Sequence, residues 1–484
     1  MRPSSRAWLA AAGLAALAAL VSAPARAQRF RPNPAVDRLF AEWDSAESPG
    51  CALGVLRNGR FIYQRGYGMA NLDYDIPNSP TMVYYIGSDS KQFTAASIGL
   101  LALEGRLSLD DDIRKYIPEM PDYGTPITIR HLIHHTSGIR DVYVLMALAG
   151  LPLENIFSDS EAIALIARQK ALNFRPGDEY LYSNSGYFLL GQIVKRVTGE
   201  SLRVYADEHI FRPLGMTHTH FHDDPGHVMK NRAMSYEPDS DGGFRISYLQ
   251  SFDKIGAGGL YSTIQDLAKW DENFYTHRVG GDALQQLIHT RGVLNTGDTL
   301  KYAYGNNLGR YRGLRITEHG GALMGFKADV LRFPDQHFTV LETCNLGSIE
   351  PGRLALAVAD VYLAGQLGPP AERRDSTTEL RAAASGEGLP APPGGSNSTS
   401  LAGLVGDYYS SELDVTYHVA LRDDDLVLSA RHKPAEPLVP TGPDSFRGGA
   451  GDVTLHFERS SPEGAAARFV LDAGRVRGIR FERR

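Results

Sequence analysis

The chain has 484 residues, a formal net charge of −6, 43% hydrophobic residues and two cysteines. At roughly 100–200 residues per domain, this length indicates two to four structural units. The hydrophobic content excludes a mainly disordered chain, and two cysteines exclude a disulfide-rich scaffold. The mild acidity and the lack of a basic tract argue against nucleic acid as a partner.

Residues 1–27 have the pattern of a signal peptide. Arg2 and Arg6 precede an apolar run over residues 8–21, and Ala25-Arg26-Ala27 supplies the small residues of a cleavage site. We therefore expect export, to the periplasm or beyond, after cleavage near Ala27. An uncleaved anchor helix is the alternative, although the run is shorter than the roughly 20 residues of a membrane span. No other apolar run approaches that length, so no stable membrane span is expected.

The remaining chain divides by composition into two units. Residues 367–400 are rich in proline and glycine, which predicts a linker between a large unit, 31–366, and a small unit, 401–484. The small unit alternates apolar and polar residues in short runs separated by turn residues. Such spacing predicts a small antiparallel β-barrel. The predicted strands cover residues 415–421, 426–428, 453–457, 468–471 and 478–481.

The large unit begins with strand-like runs on either side of Asn58-Gly59, a strong hairpin signal. Helical periodicity follows over residues 88–104 and 185–197, and strand-like runs return at residues 314–317, 328–333 and 338–344. Strands at both ends with helices between them predict an α/β (α+β) fold. We expect an antiparallel sheet flanked by helices, with a helical insertion lobe.

The two cysteines, Cys51 and Cys344, lie in strand-like segments. We expect two buried free thiols, and a single disulfide is the alternative because export permits one. Neither cysteine has a histidine close by in the sequence to indicate a nucleophile.

The first chemical pattern is Ser88-x-x-Lys91 at the start of the predicted helix. Residues three apart share a helix face, so the Lys91 amine can reach the Ser88 hydroxyl. A serine hydroxyl is a weak nucleophile that needs a base beside it, and a nearby positive helix end lowers a lysine pKa. The alternative is a helix-capping serine followed by an exposed lysine. The spacing alone is a weak signal.

Two later patterns strengthen the hypothesis that Ser88 is a nucleophile with Lys91 as its base. Tyr182 and Asn184 are two residues apart and can project to the same side, offering a proton shuttle and an amide. Further on, Glu318-His319-Gly320-Gly321-Ala322 ends a predicted strand, and its glycines permit close approach of a ligand backbone. A backbone N–H there could complement that of Ser88 in an oxyanion hole. A structural histidine is the alternative for His319.

Together these patterns resemble a known family. Ser88-x-x-Lys91, Tyr182-x-Asn184 and His319-x-Gly321 follow the order of the S-x-x-K, Y-x-N and K/H-x-G motifs of serine β-lactamase-like hydrolases and penicillin-binding proteins. Stretches at residues 134–138, 213–216 and 258–263 are similar to the same family. The resemblance covers about residues 35–365, and the Tyr-x-Asn motif is typical of the class C β-lactamase and D,D-peptidase-like branch.

The resemblance implies an acyl-transfer mechanism. Ser88 would attack a carbonyl, while Lys91 and Tyr182 would share proton transfer, with the main base left open. Asn184 would orient the substrate amide, and His319 and Gly321 would line the substrate site. The backbone N–H groups of Ser88 and Ala322 would bind the oxyanion. This mechanism requires no cofactor and no metal ion.

The third motif departs from the common K-T-G pattern, in which lysine and threonine help to hold a substrate carboxylate. His319 has an ordinary pKa near 6.5 and carries only a partial positive charge at neutral pH, and the hydroxyl is missing. We therefore expect an exported serine hydrolase for small D-amino-acid peptide, amide or ester substrates rather than efficient β-lactam turnover. The alternative is a non-catalytic relative that binds peptides or cell-wall fragments. The oligomeric state stays open.

One further histidine pattern could indicate a metal site. His218, His220 and His222 alternate, so on a strand they would share one face and could suggest a metal site. A second cluster of metal ligands does not accompany them. We therefore interpret them as structural.

Overall fold

The computed structural model describes residues 31–152, 157–247, 254–369, 401–448, 453–461 and 464–484. The predicted signal peptide lies outside these residues, as do residues 370–400 of the predicted linker. The division of the chain into two units at the predicted boundaries stays a prediction.

The described strands of the first part of the chain are β1 (Cys51–Arg57), β2 (Arg60–Tyr67), β3 (Met69–Asn71), β4 (Ile76–Pro77), β5 (Tyr84–Tyr85), β6 (His220–Phe221), β7 (Tyr236–Pro238), β8 (Phe244–Ile246), β9 (Leu260–Ser262), β10 (Tyr302–Ala303), β11 (Asn306–Tyr311), β12 (Leu314–Leu323), β13 (Phe326–Phe333) and β14 (Phe338–Cys344). Seven of these strands form the main sheet. The described helices are α1 (Pro34–Asp37), α2 (Ser90–Leu103), α3 (Ile129–Ile133), α4 (Val142–Leu148), α5 (Asp159–Ala167), α6 (Asn184–Thr198), α7 (Leu202–Ala206), α8 (Arg212–Leu214), α9 (Ile264–Thr276), α10 (Gly281–Ile288) and α11 (Pro351–Tyr362).

The main sheet joins both ends of the large unit. Its order is β10-β11-β12-β13-β14-β1-β2, and all of its described neighbours are antiparallel. The turn between β1 and β2 has positive φ at Asn58 (52°) and Gly59 (69°), as the sequence signal requires. The predicted α/β (α+β) fold with an antiparallel sheet is confirmed.

Helices cover both faces of this sheet. On one face α1 and α11 pack over alternate residues of β1, β13 and β14, including Leu53, Val55 and Val340. On the other face α9 contacts β1 and β14, and its Trp270 is buried in a core shared with α2 and α6. The intervening chain between α2 and α9 forms the helical insertion lobe. No helix in the described part of the chain is long and apolar enough to span a bilayer.

The expectation of free thiols is wrong. Cys51 and Cys344 are directly opposite each other in the β1–β14 register, and their sulfur atoms form a disulfide. The pairing joins residues 293 positions apart, and only the strand register brings them together. The disulfide ties β1 to the last strand of the large unit.

The barrel closes through eight of the described strands. They are β15 (Gly406–Ser410), β16 (Val415–Arg422), β17 (Asp425–Ala430), β18 (Lys433–Gly442), β19 (Ser445–Gly448), β20 (Val453–Arg459), β21 (Ala466–Ala473) and β22 (Val476–Arg483). The predicted barrel is confirmed, but three strands escaped the sequence prediction. Strand β18 contains Pro434, Pro437 and Pro440, which normally argue against a strand. It includes register shifts on both sides, where unpaired N–H positions are tolerated.

The barrel packs directly on the helical lobe. Arg140, which is 2% exposed, forms a buried ion pair with Glu412 of the barrel at 2.9 Å. Its guanidinium also donates to the carbonyl oxygens of Arg477 and Gly478 at the start of β22. The β21–β22 hairpin is thereby held against the lobe.

Candidate active site

Ser88 lies in a single 3-10 turn, Gly87–Asp89, that leads into α2. Lys91 is one turn further on and fully buried. Its Nζ lies 2.9 Å from Ser88 Oγ, 2.9 Å from Asn184 Oδ1 and 2.6 Å from the carbonyl oxygen of Ala257. The predicted Ser88–Lys91 contact is therefore present in the structure. Burial lowers the Lys91 pKa well below its ordinary value, which favours the neutral amine.

Tyr182 completes this cluster. Contact with the Ser88 side chain opposes the rise in its pKa, and Lys91 Nζ lies 4.7 Å from its ring centroid. Burial raises the Tyr182 pKa, so its hydroxyl keeps its proton at neutral pH. The ring of His135 packs against Tyr182 with 4.2 Å between centroids, and His135 Nδ1 accepts from the N–H of Ser183. The structure thus brings the two predicted proton-transfer groups to the same serine.

Asn184 is the first residue of α6, and its side chain contacts protein groups on both sides. Its oxygen accepts from Lys91, while its backbone N–H and its Nδ2 donate to Asp141 Oδ2 at 2.7 and 2.9 Å. Asp141 is fully buried at the N-terminus of α4. In the structure Asn184 therefore links Lys91 to Asp141. Sequence reasoning missed Asp141, whose signal was an N-cap aspartate before the apolar run of α4.

Strand β12 passes against the turn that carries Ser88. A Cβ on Gly321 would lie 1.9 Å from the carbonyl oxygen of Ile86 and 3.0 Å from the backbone nitrogen of Ser88. A Cβ on Gly87, whose φ is +55°, would lie 2.5 Å from the nitrogen of Ala322. Both positions therefore need glycine. This close approach puts the backbone nitrogens of Ser88 and Ala322 at the same edge of the cavity.

His319 is neutral rather than partly charged. Burial is the largest cause that lowers its pKa, to about 3. Its Nδ1 lies 2.7 Å from the carbonyl oxygen of Gly320, which can only accept, so Nδ1 carries the proton. Its Nε2 is then free to accept from the hydroxyl of Tyr302 at 3.3 Å. The third motif supplies no positive charge at neutral pH.

These groups surround a cavity of about 700 Å³. Its wall includes Ser88, Tyr182, Asn184, His319, Gly321 and Ala322. It also includes Arg475, which comes from the turn between β21 and β22 of the barrel and which sequence reasoning missed. The cavity is therefore built from the lobe, the sheet and the barrel together.

Several acidic side chains lie beside and behind this cavity. Glu318 and Asp329 line it, and Asp89 and Glu342 are fully buried close by. Burial raises the pKa of all four carboxyl groups, to about 7 for Glu318. A raised carboxyl pKa favours the protonated form, so these groups add less negative charge than their number suggests.

The histidine pattern at residues 218–222 does not form a strand face. Strand β6 covers only His220–Phe221, and His218 is exposed next to it. The rings of His220 and His222 are 5.7 Å apart between centroids. Within the ranges that the structure describes, no group of three His, Cys, Asp or Glu side chains is arranged to hold a metal ion.

The chain belongs to the beta-lactamase family, because the family model described as Beta-lactamase matches residues 36–394. The resemblance inferred from the motifs is confirmed. Among curated proteins, a D-aminopeptidase from Gluconobacter oxydans (strain 621H) is 29% identical over 331 residues. The match covers 68% of this chain and 61% of that protein, so the chain spans less than two thirds of this relative.

Solved structures show the same fold. The octameric penicillin-binding protein homologue from Pyrococcus abyssi superposes with a TM-score of 0.62 and 23% identity. The superposition covers 92% of this chain and 98% of that one. The D-amino acid amidase from Ochrobactrum anthropi SV3, solved with L-phenylalanine, has a TM-score of 0.58 and 19% identity. It matches 69% of this chain and 100% of its own.

Proposed function

We propose that the protein is a serine hydrolase that cleaves amide or ester bonds of D-amino-acid derivatives through an acyl-enzyme. The observation that carries this proposal is the 2.9 Å contact between Lys91 Nζ and Ser88 Oγ inside an open cavity. A neutral lysine has two N–H donors and one lone pair. The two donors are directed to Asn184 Oδ1 and the Ala257 carbonyl oxygen, which leaves the lone pair for the Ser88 hydroxyl.

Acylation follows from this arrangement. Ser88 Oγ attacks the substrate carbonyl carbon, and its proton passes to Lys91 as the new C–O bond forms. The carbonyl oxygen becomes negatively charged and is held by the N–H groups of Ser88 and Ala322. One such donor contributes roughly 10²–10³ in rate. The tetrahedral intermediate collapses when the C–N or C–O bond to the leaving group breaks.

Tyr182 supplies the proton that the leaving group needs, because its raised pKa keeps the hydroxyl protonated. Lys91 then passes the serine proton to Tyr182, whose ring centroid lies 4.7 Å from Lys91 Nζ. In deacylation a water molecule attacks the acyl carbon and gives one proton to the same pair. The acid is released and the Ser88 hydroxyl is restored.

The choice of substrate rests on two observations. The D-aminopeptidase from Gluconobacter oxydans and the D-amino acid amidase from Ochrobactrum anthropi SV3 are relatives in sequence and in fold. The neutral His319 also lacks the charge with which a K-T-G lysine holds a substrate carboxylate. Both support D-amino-acid peptides, amides or esters over β-lactams whose carboxylate depends on a cation of the third motif.

The test combines a covalent probe with a substrate panel. We expect a fluorescent phosphonate to label the wild type and not Ser88→Ala, and D-alanine p-nitroanilide to be cleaved faster than its L-enantiomer or nitrocefin. Ser97→Ala is a matched control, because Ser97 is on the same helix and its hydroxyl donates only to the Phe93 carbonyl oxygen. Equal labelling of wild type and Ser88→Ala would show that Ser88 is not the nucleophile. A wild type that neither labels nor turns over any substrate would favour the non-catalytic peptide-binding alternative.

We also propose that the protein is exported. The pattern of residues 1–27 and the Cys51–Cys344 disulfide support an oxidising compartment. Sequencing the N-terminus of protein recovered from the periplasm should give Gln28 as the first residue. Full-length protein retained in the membrane would instead support the uncleaved anchor.

A further inference from the structure

The barrel contributes one charged side chain to the active-site cavity. Among the described residues that line the cavity, Arg475 is the one that comes from the barrel. It occupies the two-residue turn Gly474-Arg475 between β21 and β22. Its side chain is 24% exposed, and its guanidinium carbon lies 5.5 Å from the ring centroid of Tyr182. A barrel residue therefore lies beside a proposed proton-transfer group.

The backbone of this turn is held from the lobe. Asn173 donates to the Arg475 carbonyl oxygen at 2.9 Å and accepts from the Arg477 N–H at 2.8 Å. Arg140 holds two carbonyl oxygens further along the hairpin, those of Arg477 and Gly478. These hydrogen bonds fix the position from which the Arg475 side chain extends. Such preorganisation lowers the ordering cost of ligand binding.

Only part of the hydrogen-bonding capacity of the Arg475 guanidinium is used within the protein. Its nearest carboxylate in the described part of the chain is Asp141, with 3.6 Å between Nη1 and Oδ2, which is longer than a hydrogen bond. That same oxygen already accepts two hydrogen bonds from Asn184. A guanidinium has five N–H donors in a planar fork that matches a carboxylate. Arg475 therefore retains donors for a ligand in the cavity.

The charges around the cavity favour binding of an anion beside Arg475. The third-motif residue His319 is neutral, and the Lys91 pKa is lowered toward the neutral amine, whereas an arginine stays charged. The lining acids Glu318 and Asp329 have raised pKa values, which reduces the negative charge that would oppose an anion. The cavity thus has a permanent cation on the Tyr182 side, whereas the third motif on β12 supplies none.

We infer that Arg475 binds a carboxylate that the substrate carries next to its scissile bond, so that the barrel determines selectivity for acidic substrates. This inference rests on the proposed hydrolase function. The carboxylate has two sources with the same chemistry: the C-terminus of the leaving group, or the side chain of the acyl residue. Either would lie within reach of a group that packs on Tyr182.

The test uses matched substrate pairs that differ in one charge. The first pair is N-acetyl-D-alanyl-D-alanine and its C-terminal amide. The second pair is D-aspartic acid p-nitroanilide and D-asparagine p-nitroanilide, with the scissile bond at the α-carboxyl. We expect the wild type to prefer the acidic member of one pair. Arg475→Gln should then lower the ratio of kcat/KM for the acidic member to kcat/KM for the neutral member roughly 10- to 100-fold.

Arg477→Gln is the matched control, because Arg477 lies on the same hairpin but pairs with Glu179 outside the cavity. Its substitution removes the same charge and should leave the acidic preference unchanged. Equal losses for acidic and neutral substrates in Arg475→Gln would overturn the inference and assign Arg475 a positioning role. Lys327 of β13 is another cation that lines the cavity. An acidic preference that survives Arg475→Gln but disappears in Lys327→Gln would overturn the inference and assign the carboxylate to Lys327. The absence of any acidic preference in the wild type would also overturn it.

Binding in a Ser88→Ala background separates this inference from the proposed function. In that background calorimetry measures the affinity for the acidic and neutral members without turnover. We expect tighter binding of the acidic member, lost when Arg475→Gln is added. If the wild type hydrolyses nothing but this difference in affinity persists, the hydrolase proposal fails while the carboxylate site stands. If the wild type hydrolyses the substrates but no such difference in affinity exists, the carboxylate site fails while the hydrolase proposal stands.

Discussion

Replacing Arg140 tests how the barrel is held against the lobe. The Arg140 guanidinium donates to four groups: Glu412 Oε1 and Gln169 Oε1 at 2.9 Å each, and the carbonyl oxygens of Arg477 and Gly478. The side chains of the ion pair are 1% and 5% exposed. In Arg140→Met the apolar side chain fills most of the space, but Glu412 keeps a buried charge without its counter-ion.

The cost of this substitution follows from that geometry. Removing one partner of a buried ion pair costs roughly 3–5 kcal/mol, because the other charge stays desolvated. Glu412 retains one hydrogen bond, from the Lys170 N–H at 2.7 Å, which offsets a part of the cost. We therefore expect Arg140→Met to lower the free energy of unfolding by about 3 kcal/mol. Adding Glu412→Gln should recover part of this loss, because it removes the unpaired charge.

Urea denaturation followed by circular dichroism measures the effect as a shift in the unfolding midpoint. Arg168→Met is the matched control, because Arg168 also pairs with the barrel, through Asp414 at 3.7 Å, but both side chains are exposed. An exposed pair contributes roughly 0–1 kcal/mol. If Arg140→Met cost no more than Arg168→Met, the buried pair would not stabilise the interface. In that case Arg140 would not be the residue that holds the hairpin carrying Arg475.

Two further substitutions test the site. Lys91→Met should slow acylation roughly 10²- to 10⁴-fold, measured with the phosphonate probe. Folding lowers the Lys91 pKa, so the unfolded chain binds more protons than the folded chain at pH values between the lowered pKa and 10.5. The stability of the wild type relative to Lys91→Met therefore rises with pH in this range. A constant stability difference across that range would contradict the lowered pKa. Gly321→Ala should reduce turnover at least 10²-fold, because its Cβ would lie 1.9 Å from the Ile86 carbonyl oxygen. Gly320→Ala, whose nearest neighbour would be 3.5 Å away, should leave turnover near the wild-type rate.

Much of the fold and the central cluster could be predicted because the signals are local. The Asn58-Gly59 turn determines a hairpin through backbone conformation alone. The i, i+3 spacing of Ser88 and Lys91 brings their side chains together in one helical turn. The strand Phe338–Cys344 has the bounds that its apolar run predicted. In each case residues within a few positions of one another carry the information.

The missed features depend on long-range pairing. The Cys51–Cys344 disulfide exists because β1 and β14 are neighbours in register, which no local pattern encodes. Asp141 has the local pattern of a helix cap, and only the packing of α4 against α6 brings it to Asn184. Strand β18 forms in spite of its three prolines, because barrel closure and register shifts outweigh the preference of proline against strands.

Arg475 shows why the missed residues matter for function. In the sequence it follows a glycine in a hairpin turn, a position where a charged, solvated residue is ordinary. Its place in the cavity depends on Asn173 and Arg140 of the lobe, which hold the turn through backbone groups rather than through the arginine side chain. The residue at the tip can therefore change without loss of docking. Because docking and selectivity are carried by different atoms, substitution at this one turn position can alter the charge of the preferred substrate while Ser88 and Lys91 stay in place.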